Sequence, residues 1–189
     1  SPHGVPLSGK WEDPPAADVL PTITKADLSG TREFRCGLIW KRVQICRGAP
    51  MGITSNMGME LIGEHLVKAR LITRRDLDHA LAAAERGGTL LTGKLLELGL
   101  LSREVLEEEL GKNLGARLSE VLEWRWGTYE FREEPVPESD LLPKMNLDHL
   151  IHRTREMLER RTAEESKKEA SGEHTPQKKL KEALQVARS

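Results

Sequence analysis

The run Gly88-Thr-Leu-Leu-Thr-Gly93-Lys94 comes within one residue of a phosphate-binding loop, but Leu95 stands where a hydroxyl would hold Mg²⁺. Such a loop also needs a preceding strand and amides turned toward the phosphates. Here Leu90, Leu91, Leu95 and Leu96 belong to an apolar pattern, so the run is expected to begin a helix. His149 and His152, at i and i+3, could share a metal on one helix face, yet no carboxylate or third histidine completes the set. Both are expected in solvent, and His65 and His79, on different helices of one repeat, as boundary residues rather than ligands. No serine stands in a nucleophile-elbow setting, and neither cysteine has a histidine partner in sequence. Glu107, Glu108 and Glu109 read as a solvated helix face. The expectation is a protein with no catalytic residues, no cofactor and no metal.

Residues suited to contact are easier to find. Arg70, Arg74, Arg75 and Arg103 cluster at two turns, as a patch for a phosphate or an acidic partner or as a rim salt-bridged to Asp76, Asp78 and Glu104. Trp124, Trp126, Tyr129 and Phe131 concentrate aromatic surface; such a cluster closes a core, and Trp126 is the candidate left outside as an interface anchor. Leu180 and Leu184 lie on the apolar stripe of a capped stretch, 175–187, too short to hold a helix alone in water but able to fold on a partner.

The elements that position these residues must fit in 189 residues, enough for one domain and a tail. Only 7 residues are aromatic (4 Trp, 2 Phe, 1 Tyr), so the core must rest on aliphatic side chains. With 29 basic against 30 acidic side chains, the formal charge of −1 argues against a dedicated nucleic-acid binder. The segment 151–189 is the exception, with 10 basic and 7 acidic side chains, and a DNA-associated regulator using it is the weakest alternative. No apolar run approaches the roughly 20 residues of a membrane span. No charged stretch leads into an apolar signal core, so a cytoplasmic protein is expected. Cys36 and Cys46 are expected as reduced thiols, the alternative being a disulfide across a hairpin.

The fold class expected is α+β: a small antiparallel sheet with an N-terminal helix, a duplicated helix-turn-helix unit, a closing strand and a C-terminal helix. Strand alternation runs through Phe34, Cys36, Leu38 and Trp40, then Val43 and Ile45, and again over 51–55. A helix opens near Asp13, Pro14 and Pro15. At an offset of 29, Ile62 to Val67 matches Leu91 to Leu96, and Leu71-Ile-Thr-Arg74 matches Leu100-Leu-Ser-Arg103. Thr73 and Ser102 read as N-caps, with Ile72 and Leu101 stapling onto Leu77 and Leu106. The helix continues through Leu114, Leu118, Val121 and Leu122 to a stop at Gly127, before a strand at 128–132. The domain is therefore placed at 1–132, with helical repeats at 60–85 and 89–114. A linker at 133–145, a helix at 146–161 capped by Asn146, and a flexible tail at 162–189 complete the chain.

This order of features resembles the PATAN domain, a bacterial signalling module. The residues that carry it are Leu7-Ser-Gly, Leu28-Ser-Gly-Thr31, Val43-Gln-Ile-Cys-Arg-Gly-Ala-Pro50, Thr54-Ser-Asn56, Glu60 to Val67, and Val121-Leu-Glu-Trp-Arg-Trp-Gly-Thr-Tyr-Glu-Phe131. The likeness covers about 6–160. It implies a protein–protein interaction module found with Ras-like GTPases, roadblock proteins or response regulators that control polarity and surface motility, able to modulate nucleotide exchange. The repeats also resemble MshEN domains, which bind cyclic di-GMP. Gly63, Leu66, Leu77 and Leu81, and Leu95, Gly99, Leu106 and Leu110, fit that spacing. Leu61 and Leu90 replace its leading arginine, Ala84 and Asn113 its closing glutamine, and Arg70 and Thr92 its glycines. These departures imply a shared scaffold with the ligand site lost. A cyclic di-GMP or other nucleotide second-messenger sensor using the arginines near the repeat turns is the alternative to an adaptor, whose partner would be a protein.

Overall fold

The computed structural model describes residues 8–12 and 27–172. It is α+β, as expected. Strands β1 (Ser8–Glu12), β2 (Gly30–Cys36), β3 (Ile39–Cys46) and β4 (Ala49–Ser55) come first, then a 3-10 turn at Gly58–Glu60. Helices α1 (Ile62–Lys68), α2 (Arg74–Gly87), α3 (Leu91–Glu97) and α4 (Arg103–Glu123) follow, then β5 (Trp126–Glu133) and α5 (Leu147–Ala170). The helix expected from Asp13 and the amphipathic stretch carrying Leu180 and Leu184 lie outside the described residues.

The sheet is antiparallel with order β1-β5-β2-β3-β4. The last strand in sequence is thus inserted between the first two. Alternation makes the faces: along β3, Lys41, Val43 and Ile45 are buried while their neighbours are not. Phe34, Val43, Ile45, Ile53 and Phe131 pack on Leu114, Leu118, Val121 and Leu122 of α4. Two-residue turns join the early strands. Gly37 takes φ +60 at the β2–β3 tip, and Arg47 and Gly48 take φ +48 and +77 at the next, the left-handed pair that a tight hairpin demands.

The duplication is real at the level of caps. Thr73 Oγ1 accepts from Asp76 N at 3.0 Å while Asp76 Oδ2 accepts from Thr73 N at 2.9 Å, a full capping box. Ser102 Oγ accepts from Val105 N at 3.3 Å in the second unit. Both units bury their leucines together, Leu66 and Leu77 with Leu95 and Leu106.

Several expectations need correction. Gly127 does not stop α4, which ends at Glu123; it sits inside β5, where a Cβ would lie 2.5 Å from Trp11 Cζ2, so the glycine is there to admit the indole. Helix α5 opens at Asn146, whose Oδ1 accepts from His149 N at 2.9 Å, but it runs to Ala170 rather than to Arg161. The polar composition of residues 162–170 suggests a flexible tail, but seven of the nine are Glu, Lys or Ala, good helix formers, and their side chains stay exposed. The chain divides into compact units at 1–151 and 152–189, and the sheet, the repeats and both cores belong to the first.

Candidate functional site

One end of the sheet carries the largest uncovered apolar side chains. The Gly37-Leu38 tip leaves Leu38 90 % exposed. Trp126 begins β5 beside it, close enough that a Cβ on Gly37 would meet its Cη2 at 3.7 Å. Asn56, just past β4, clamps the same tip: its Nδ2 donates to Leu38 O at 2.7 Å and its Oδ1 accepts from Trp40 N at 3.0 Å. Met57 and Met59 follow Asn56 in the chain, and Met59 is 81 % exposed against 55 % for Trp126. Leu38, Ile39, Met57, Met59 and Trp126 thus share an end that three strands hold in place. Exposed apolar side chains on a braced hairpin have the chemistry suited to a contact surface.

Trp126 is exposed, as the aromatic cluster suggested, whereas Trp124 is half-buried under Lys41, whose Nζ lies 6.0 Å from its ring. Met59 escaped sequence reading, and the alternation places Leu38 inside a strand where the structure has the turn between β2 and β3; a leucine at a glycine-led hairpin tip was the available signal.

The arginines resolve differently. Arg74 makes a two-armed pair with Glu64, at 2.5 and 2.7 Å, and Arg103 holds Asp140 at 2.9 Å with Glu107 at 3.8 Å. The hydrogen bond from Arg74 holds the Glu64 carboxyl below its ordinary range, and Arg103 does the same for Asp140. These pairs replace the expected ones with Asp76, Asp78 and Glu104; Asp76 is spent on the cap. Arg75 is exposed. Arg70 is also exposed and holds φ +59, at the position where the second repeat has Gly99 with φ +68. Left-handed backbone at a non-glycine residue costs on the order of 1 kcal/mol, so this side chain is kept against a local strain.

Two ionic clusters were not legible. Lys41, 1 % exposed, reaches Glu60 at 2.5 Å and Glu120 at 2.7 Å, and Arg117 reaches the same two carboxylates at 3.3 and 3.2 Å. Burial would push the Glu60 carboxyl up, but hydrogen bonds from Lys41 and Ser55 and the charges of Lys41 and Arg117 outweigh it and hold it low. Glu109 is buried rather than solvated, bonded to His65 Nε2 at 2.6 Å and Lys112 at 2.9 Å. Against the upward push of burial, these partners likewise hold its carboxyl low. The Lys41 cluster contains as much positive as negative charge, and both clusters tie helices to neighbours, which is structural work.

The phosphate-loop look-alike is a helix junction. Gly88 is the left-handed C-cap of α2, residues from Leu91 form α3, and Lys94 pairs with Glu97 at 2.7 Å. Cys36 pairs with Ile39 at one end of the β2–β3 hairpin and Cys46 ends β3 at the other. That separation, on the order of 20 Å, rules out the hairpin disulfide; both thiols are free. Among the described residues no cluster of metal-ligating side chains occurs, and no helix is long and apolar enough to cross a membrane. No known protein family, curated protein or solved structure matches the chain.

Proposed function

We propose that this chain is a non-enzymatic interaction module of bacterial signalling that works by docking a protein partner. The observation carrying this reading is the apolar end of the sheet, with Leu38, Met59 and Trp126 exposed on a clamped hairpin. A partner that covers a central tryptophan and leucine gains most of its binding energy from those few side chains. The resemblance to PATAN domains supplies the partner class, a Ras-like GTPase or a response regulator in a cytoplasmic pathway of polarity or motility. On a GTPase the patch would act by favouring one switch conformation and so altering nucleotide exchange.

Purified bacterial Ras-like GTPases and receiver domains, titrated against the chain by interferometry, test this. Binding to at least one of them, weakened about tenfold or more by Trp126→Ser or Leu38→Ser, is the expected result. Both side chains are exposed, so the variants should keep the wild-type melting temperature. Absence of binding across the panel, or equal binding by both variants, overturns the proposal.

A further inference from the structure

The opposite ends of the strands hold a second feature that no docking role needs. Between β3, β4, α1, α3 and the segment 134–141 lies a cavity of about 480 Å³. Its walls are chiefly aliphatic, with Ile53, Ile62, Leu91, Leu110, Val136 and Leu141 among them. Its size is that of a small-molecule site, and far beyond what one ordered water would fill.

Among the polar side chains that line it, which include Thr31, Gln44, Thr92 and Ser139, Asn113 is the most deeply buried. Asn113 of α4 lines it and is only 3 % exposed. A carboxamide facing this space offers a bound group an adjacent donor and acceptor. The charge of the walls narrows the ligand further. Among the described lining residues none is Lys, Arg or His, and the sole ionisable one is Glu134. A phosphate or carboxylate would lose its water there without gaining a cation. Asn113 falls where MshEN repeats carry their closing glutamine, but the anionic dinucleotide of those domains does not suit these walls.

We infer that the cavity binds a small uncharged molecule, apolar over most of its surface, whose neighbouring N–H and C=O pair with the Asn113 carboxamide. A fused-ring lactam is the simplest such shape: the ring body fills the aliphatic space, the lactam N–H donates to Oδ1, and its carbonyl accepts from Nδ2. Proposed docking at the other end of the sheet does not depend on this site, and either can fail alone.

Fluorescence of N-phenylnaphthylamine, a neutral probe that brightens in apolar surroundings, decides the matter on the full chain. Saturable one-to-one binding is expected, reduced about tenfold or more by Thr92→Trp, which plugs the cavity from a half-buried position without touching either core. Isoquinolone should displace the probe about tenfold better than isoquinoline, which lacks the lactam edge, and Asn113→Leu should erase that preference while keeping the probe. Cyclic di-GMP should displace nothing. No saturable probe binding, binding indifferent to Thr92→Trp, equal competition by the two ring compounds in the wild type, or displacement by cyclic di-GMP each overturns the inference. Should Asn113→Leu fail to fold, the Thr92→Trp comparison and the two competitors on the wild-type chain still decide it.

Discussion

A lysine 1 % exposed is the most demanding residue in this structure, and its partners explain how it survives there. Lys41 comes from β3, Glu60 from the turn after β4, and Glu120 and Arg117 from α4. Removing the cation while leaving the buried carboxylates is worse than removing the whole cluster. Lys41→Met should therefore lower unfolding stability at neutral pH by about 2–3 kcal/mol, discounted from a fully buried pair because Glu120 is part-exposed and Arg117 remains. The pH dependence follows from the Glu60 carboxyl, held low in the folded state. A depressed folded value means its contribution is complete above the unfolded range near pH 4–5 and is lost as pH falls through the folded value. The deficit of Lys41→Met in urea titrations should thus be largest at pH 7 and shrink toward pH 3. A deficit that stays constant over that window would remove the cluster from the account of acid stability. None of this was visible in sequence, because the four side chains come from three separate places in the chain, Lys41, Glu60 and the Arg117–Glu120 turn of α4. Trp126 was visible, because crowded aromatics near a helix end cannot all face inward.

Helix and turn chemistry was the most legible layer. Thr73 and Ser102 announce helix starts by residue type alone, and the offset of 29 exposes the duplication. Tight approaches between elements are the opposite case. The segment after β5 runs back along α4: Lys144 N donates to Glu107 O at 3.0 Å and Leu142 N to Glu107 Oε1 at 3.2 Å. It lies so close that a Cβ on Gly111 would overlap the Lys144 carbonyl. Nothing in a linker sequence predicts that contact, and a glycine inside a helix reads only as a weak point. In this fold the same glycine is a seat. Gly111→Ala gains helix propensity worth roughly 1 kcal/mol but must push backbone away from backbone, and overpacking of that kind costs more. A net loss of about 1–2 kcal/mol in urea unfolding is expected, with faster amide exchange at residues 141–145. Net stabilisation would mean that the strap yields freely.

Within the unit 1–151 two hydrophobic cores share one beam. Helix α4 gives Leu106 and Leu110 to the repeat core and Leu114, Leu118, Val121 and Leu122 to the sheet core. Neither the sharing nor the strand order could be read in advance: pairing of β5 with both β1 and β2 joins segments about a hundred residues apart, and alternation carries no information about which neighbour a strand chooses. If the beam is what makes the cores fold together, breaking it midway should let them part. Lys112 is the place to break it, since its side chain points outward, 64 % exposed, just between the two sets of leucines. Lys112→Pro deletes an intrahelical hydrogen bond and clashes with the preceding turn, at a cost of about 3 kcal/mol. The four tryptophans lie on β1, on β3, at the C-cap of α4 and at the start of β5, all on the sheet side, so their fluorescence reports the sheet core. Amide exchange at Leu66, Leu77 and Leu95 reports the repeat core. In the wild type both probes should trace one transition along a urea series. In Lys112→Pro the repeat amides should open at lower urea than the tryptophans move, because the smaller core loses its anchor while the sheet keeps its own pairing. Coincident transitions in the variant would mean that the cores are coupled across other contacts, with α4 passing between them as a passenger.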